Sequence, residues 1–339
     1  MRLESLGERE LISALRKEFS ESRKDVILGI GDDTAVVRPG KGALLLTKDL
    51  LLEGFHFIRS LHPPYFLGRK SLNVNLSDIA AMGCVPKFAL LGLGLPADLD
   101  TAWLREYFSG FKSATKEGKV ILVGGDLSES KKVFISVTVI GEGKNIIQRK
   151  GARAGHLLYV SGYLGDSKQG LLLLKQGIKP GKNRKADPLL RAFLDPLPQV
   201  SLGQTLSRQK LVSSMIDVSD GLSVDLFHLC QESRLGAEID LEKLPISPEL
   251  RYFQKNPRSF ALHGGEDYQL LFTVPPENKG ALSRLQKKYM LTLIGKMTGR
   301  HDILVIDQRG KRKPLEIKGY EHFRDKRRTA PRRKKIRIL

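Results

Sequence analysis

The sequence predicts a two-domain protein of mixed α/β class, in which helices and strands alternate along the chain. A length of 339 residues is more than one typical domain needs. With 41% hydrophobic and 28% charged residues, the composition suits a folded protein. Apolar runs switch repeatedly between helical and strand spacing, with glycine-bearing turns between them. The stretch GARAGH (151–156) reads as a linker turn, so the boundary is expected near residue 150, with a second domain over 151–323.

The elements follow in order. Leu11, Ile12, Leu15 and Phe19 keep helical spacing and predict a helix over 8–20. Strands are expected at 26–30, 34–37 and 43–46, the last ending in Thr47-Lys48-Asp49. Residues 66–82 read as a helix that buries Leu72, Leu76, Ile79 and Met82, with Ser71, Asn75 and Asp78 on a separate polar side. A strand at 88–95, a helix near 101–117, a strand at 120–123 ending in Gly124-Gly125-Asp126, and a strand at 133–140 complete the first half. The second half opens with a strand at 157–160, the glycine-rich SGYLGDSKQG (161–170) and a helix at 171–176. Two acidic turns follow: SMIDVSDGLSVDLFHLC (214–230), strand to helix, and HGGEDYQLLFTV (263–274), turn to strand.

Composition excludes several classes. The longest apolar run, FALLGLGLPA (88–97), is far short of the roughly 20 residues a membrane helix needs. The opening MRLESLGERELI is too acidic for a secretion signal, and Cys84 and Cys230 form no CxxC, so a reducing cytoplasmic setting is expected. Of the net charge of +20, residues 324–339 hold nine Lys/Arg against one Asp, or +8. That segment reads as a disordered basic arm, solubilising or weakly attracted to RNA and other polyanions. The remaining +12 suits a protein whose ligands are phosphates.

Familiar nucleotide motifs are missing: there is no GxxxxGK[ST], and Gly92-Leu93-Gly94 runs into Pro96 where a dinucleotide-binding helix should open. What stands instead is a series of acidic residues at strand ends and glycine turns: Asp32-Asp33, Asp49, Asp78, Asp126, Asp217 and Asp220. Converging aspartates without His or Cys suit magnesium rather than zinc. Taken singly each is weak, since Asp-Gly pairs populate ordinary turns and Asp220 can cap the helix after it.

Together, GIGDDTAV (29–36), TKDLLLEGFHF (47–57), SLNVNLSDIAAMG (71–83), VGGD (123–126), IDVSDGLSVDL (216–226), LHGGEDYQLLF (262–272) and GYEHF (319–323) are highly specific. Over nearly the whole chain short of the basic tail, the sequence resembles the thiamine-monophosphate kinase family, in the superfamily of aminoimidazole ribonucleotide synthetase. The resemblance implies an N-terminal α+β domain that dimerises through its sheet, a C-terminal α/β domain, and a site between them. It implies ATP and several Mg2+ ions, the metals held by Asp32, Asp33, Thr47, Lys48, Asp49, Asp78, Asp126, Asp217 and Asp220. ATP contacts would come from Gly125, Asp126, Arg149 and Ser219, and thiamine monophosphate contacts from His56, Glu266 and Tyr320. Lys48 departs from the family's usual Thr: it removes a hydroxyl ligand, leaves a main-chain one, or supplies a cation beside the phosphates. On residues alone, His56 reads as a histidine packed between Phe55 and Phe57, Glu266 as a solvated turn residue and Arg149 as surface charge.

The implied reaction needs no general base, because a phosphate monoester with a second pKa near 6 is already largely ionised at pH 7. A selenophosphate synthetase would need a reactive residue near the N-terminus, and the first Cys here is Cys84. A hydrogenase-maturation relative would end in a functional cysteine, whereas this chain ends in KKIRIL. Aminoimidazole ribonucleotide synthetase lacks the GGEDY-to-GYEHF arrangement. A basic RNA-binding protein on a dead kinase scaffold would explain the tail, but not the intact aspartates.

Overall fold

The structure is a computed structural model and describes residues 8–19, 23–28 and 36–319. The expected ligands Asp32, Asp33 and Tyr320, and the basic tail, lie outside the described residues.

The first half comprises α1 (Glu8–Glu18), β1 (Val26–Leu28), β2 (Val36–Val37), β3 (Ala43–Leu52), α2 (Pro64–Ala81), β4 (Val85–Leu95), α3 (Thr101–Gly118), β5 (Ile121–Glu129) and β6 (Phe134–Gly143). Four strands form a sheet in the order β3-β6-β4-β5, antiparallel except for β4 with β5. Alternation along the strands sends Leu45, Leu91, Leu93, Val137 and Val139 to one face, where α2 and α3 cover them with Leu72, Leu76 and Phe111. The two helices meet almost backbone to backbone, since a Cβ on Gly110 would lie 1.8 Å from the Tyr65 carbonyl oxygen and one on Gly68 2.0 Å from that of Tyr107. On the opposite face, Val26 of β1 and Val37 of β2 pack over Phe88, Ile121 and Val123. Leu44, Leu46 and Leu50 of β3 remain exposed.

The second half comprises β7 (Leu157–Ser161), α4 (Asp166–Lys175), α5 (Asp187–Leu194), α6 (Val200–Arg208), β8 (Ser214–Val218), α7 (Leu222–Ser233), β9 (Gly236–Asp240), α8 (Pro248–Phe253), α9 (Pro257–His263), β10 (Gln269–Val274), α10 (Lys279–Leu285), β11 (Leu291–Thr298), β12 (Ile303–Ile306) and β13 (Arg312–Pro314). Seven strands pair in the order β13-β12-β9-β11-β7-β10-β8, with β12 and β9 the parallel pair. This sheet is covered on both faces. Leu158, Val160, Ile216 and Val218 face α4, α5 and α7, whereas Tyr159, Met215 and Phe272 pack against α6 and the end of α2.

Three expectations are corrected. β3 does not stop at Leu46: its pairing with β6 continues through Thr47, Lys48 and Asp49 to Leu52, because alternation persists beneath the polar residues. β5 likewise runs on through Gly124-Gly125-Asp126 to Glu129, and Gly125 is required by packing, since a Cβ there would lie 1.9 Å from the Leu91 carbonyl oxygen. Helix α4 starts at Asp166, inside the glycine-rich stretch, not at 171.

Helix α2 also differs from its reading as amphipathic. Every residue from Leu67 to Ser77, and Ile79 to Ala81, is buried. The side carrying Ser71, Asn75 and Asp78 is covered by other protein elements, not by water.

Candidate functional site

The polar side of α2 is where the two halves of the chain meet, with β3 on one flank and β8 on the other. Thr47 and Asp49 share the β3 face that packs on α2, while Lys48 projects from the opposite, exposed face. The Thr47 hydroxyl donates to the Asp78 carboxylate, and the Asp49 backbone N–H donates to Asn75 Oδ1 at 3.1 Å. From the other flank, Asp217 sits on the same side of β8 as Met215, facing α2, and its Oδ2 accepts from Ser77 Oγ at 2.7 Å. Asp49, Asp78 and Asp217 therefore converge from three elements.

Their electrostatics reflect burial and company. Burial, then the Asp78 charge, pushes Asp49 up to about 7. Asp217 is also pushed up to about 7, by burial first and then by Asp78, with Asp49 adding to the rise. The Ser77 hydroxyl and Arg149 act against it. Asp78 is raised by burial, while the Thr47 hydroxyl and Arg149 pull it back. Arg149, exposed and in a loop, thus brings its positive charge to bear on two of the three carboxylates. Its carbonyl accepts from Ser233 Oγ at 3.2 Å.

Two turns close the other side. The segment 218–221 and the GGEDY segment (264–268) pack together: Ser219 O accepts from Glu266 N at 2.7 Å and Val218 O from Tyr268 N at 2.8 Å. Glu266 and Tyr268 hold φ of 68° and 50°, left-handed values that side chains rarely adopt. Between them, buried Asp267 accepts from Gly165 N at 2.6 Å and Ser167 N at 3.2 Å, tying the turn to the start of α4. The residue at the N-cap of α7 is Gly221. The turn before it is held by Asp225, which accepts from the Asp220 and Gly221 N–H groups at 3.1 and 3.0 Å. Gly319, the last described residue, lies against the Asp220 carbonyl oxygen, where a Cβ would come within 2.6 Å.

The remaining expected residues are less closely gathered. His56, half-buried in the turn after β3, accepts from Leu52 N at Nδ1, 3.0 Å away, with Phe57 buried and Phe55 exposed. Gly125 and Asp126 are exposed on β5. That strand lies at the opposite edge of the sheet from Asp49, three strand spacings or about 14 Å away. Sequence reasoning missed Ser77, which binds Asp217, and Lys70, whose Nζ lies 2.8 Å from Glu266 Oε1. Lysine in a helix gives no signal of burial, so only the tertiary structure exposes that pair.

Among the described residues no group of three or more His, Cys, Asp or Glu forms a ready metal site. The donor chemistry nevertheless fits a hard cation. Its groups are carboxylates and a hydroxyl, with neither His nor Cys, and mutual repulsion among Asp49, Asp78 and Asp217 is what a bound divalent ion relieves.

Comparison with known proteins agrees across the length of the chain. Residues 31–142 match the AIR synthase related protein, N-terminal domain, and residues 153–308 the corresponding C-terminal domain. The thiamine-monophosphate kinase of Aquifex aeolicus is 40% identical over 330 residues, 95% of this chain and 100% of that protein. Among solved structures, the thiamine-monophosphate kinase of Stenotrophomonas maltophilia K279a has a TM-score of 0.81 at 35% identity, covering 87% of this chain and 95% of its own. The AaThiL complex with AMPPCP and TMP has a TM-score of 0.76 at 40% identity, covering 95% and 99%.

Proposed function

The chain belongs to the AIR synthase related protein family, on its thiamine-monophosphate kinase branch, and from that membership we propose that it transfers the γ-phosphoryl group of ATP directly to thiamine monophosphate. The observation that carries this reading is the convergence of Asp49, Asp78 and Asp217 from β3, α2 and β8, with the Arg149 charge beside them. Two polyanions must meet in line, and the acceptor phosphate needs no base. Asp49, Asp78 and Asp217, with Thr47, would hold Mg2+, which when bound supplies neutralisation of phosphate charge. Asp32, Asp33, Asp126, Asp220 and the Lys48 main chain are proposed to complete the metal set. Arg149, Ser219, Gly125 and Asp126 are proposed to bind ATP, with Arg149 offsetting charge on the transferring group. His56, Glu266 and Tyr320 are proposed to bind thiamine monophosphate.

Around this core the proposal comprises domains at 1–150 and 151–323, a cytoplasmic setting, and a homodimer. Exposed Leu44, Leu46 and Leu50 on the uncovered face of β3 support the dimer. The basic residues of 324–339 support a weak, salt-sensitive contact with polyanions. Incubation of the purified protein with ATP, Mg2+ and thiamine monophosphate should yield thiamine diphosphate and ADP. No such product, with turnover of another acceptor, overturns the substrate assignment.

A further inference from the structure

Lys70 is among the largest fully buried side chains of the molecule, with its side chain 1% exposed. Burying an ammonium group is costly unless its partners are well placed. Three contacts receive it: the Glu266 Oε1 at 2.8 Å, the Phe193 carbonyl oxygen at 3.0 Å, and the Phe193 ring, whose centroid lies 3.9 Å away. Its neighbour Arg69 makes a different set of contacts, with Asp195, Ser113 and Glu117. Arg69 therefore fastens helices to one another. Lys70 instead reaches a carboxylate that is 31% exposed, on a residue with φ of 68°.

The backbone of that turn is fixed independently of Lys70, by Ser219 O, Val218 O and the two N–H groups held by Asp267. What Lys70 adds is the direction of the Glu266 side chain. It engages Oε1 while the Glu266 side chain stays 31% exposed. We infer that Lys70 is a positioning residue for the thiamine end of the substrate: it holds one oxygen of Glu266 so that the other faces the ligand. This inference rests on the assignment of Glu266 to thiamine monophosphate. The ligand chemistry is matched, because thiamine carries a cationic thiazolium ring and an amine donor, and a fixed carboxylate oxygen attracts either. Lys70 precedes Asp78 by eight residues on α2, about 12 Å along the axis, so its influence is on the substrate subsite and not on the phosphates.

Lys70→Met, Glu266→Gln and the double variant test this, each measured for kcat, for KM of thiamine monophosphate and of ATP, and for melting temperature. Lys70→Met retains the apolar stem against Phe193. Its KM for thiamine monophosphate should rise about tenfold, the equivalent of about 1.4 kcal/mol, with KM for ATP nearly unchanged. The double variant should be no worse than the poorer single variant, since both remove one device, and Lys70→Arg should restore part of the loss. Should Lys70→Met not fold, Lys70→Gln keeps a donor for the Phe193 carbonyl and carries the same expectation. An unchanged KM, equal rises for both substrates, or losses that multiply in the double variant would overturn the positioning role. A wild type that makes no thiamine diphosphate overturns the substrate reading and this inference with it. An active wild type with an unaltered Lys70 variant overturns the inference alone.

Discussion

Asp217 and Asp267 are both buried carboxyls of the second half, and burial drives both upward, Asp217 to about 7 and Asp267 well above the usual carboxylate range. Their company differs. Asp267 accepts from two backbone N–H groups at the start of α4, and Asp225 does the same for Asp220 and Gly221. Asp217 has one hydroxyl, from Ser77, and faces two more carboxylates, Asp78 and Asp49. One set accepts from backbone N–H groups and so holds the chain. In the other, carboxylates from three elements raise one another with a hydroxyl as the Asp217 donor, the setting a cation relieves when it binds. A buried aspartate thus reveals its task by which partners it lacks.

The largest expected effect comes from the second set. Asp78→Asn preserves shape and can still accept from the Thr47 hydroxyl, but replaces an anionic oxygen by an amide that binds magnesium poorly. Turnover should fall by orders of magnitude in a magnesium titration, while the metal-free melting temperature holds or rises as repulsion is relieved. Near-wild-type turnover would break the contrast. Asp267→Asn should do the reverse. One of its two acceptor oxygens becomes a donor facing a backbone N–H, at a cost of about 1–3 kcal/mol, seen as a lower melting temperature. Turnover of the folded variant should stay within a few-fold of wild type.

The smallest effect sharpens the sign of the difference. Asp49 and Asp217, at about 7 in the folded protein, still hold protons where the unfolded chain, near 3.9, has released them. Their contribution to stability is full below the unfolded value and is lost as pH rises through about 7. The metal-free protein should therefore melt lower at pH 8 than at pH 5.5. Asp217→Asn should shrink that difference, and magnesium should restore stability at pH 8. An unchanged pH slope in Asp217→Asn would show that the carboxylates do not repel one another as described.

Much of this contrast was legible in the chain itself. Periodicity located α2 and the strand-to-helix turn at Asp217, and the aspartates stood out as a series at strand ends and glycine turns. What escaped was non-local. A polar helix side reads as solvated unless the strands that cover it are known, so Asn75 stood out only as polar, and Ser77 and Lys70 carried no signal. β3 and β5 were cut short because Thr-Lys-Asp and Gly-Gly-Asp look like turns. Both are held in strand by pairing partners distant in sequence. The same alternation that extends β3 places Lys48 on the far side of the sheet from Asp78, which the sequence order alone could not decide.

Helix α2 has one more consequence. Its Arg69, Lys70, Asn73 and Ser77 bond to Asp195, Glu266, Pro196 and Asp217 of the second half, while Leu72 and Leu76 belong to the core of the first. Although two family descriptions match the chain on either side of residue 150, the helix has no surface of its own to give up. A gene split at that boundary would leave basic and polar groups stripped of their partners on one fragment, and orphaned carboxylates on the other. Recombination between relatives is constrained in the same way, because a foreign second half must arrive already matched to this helix.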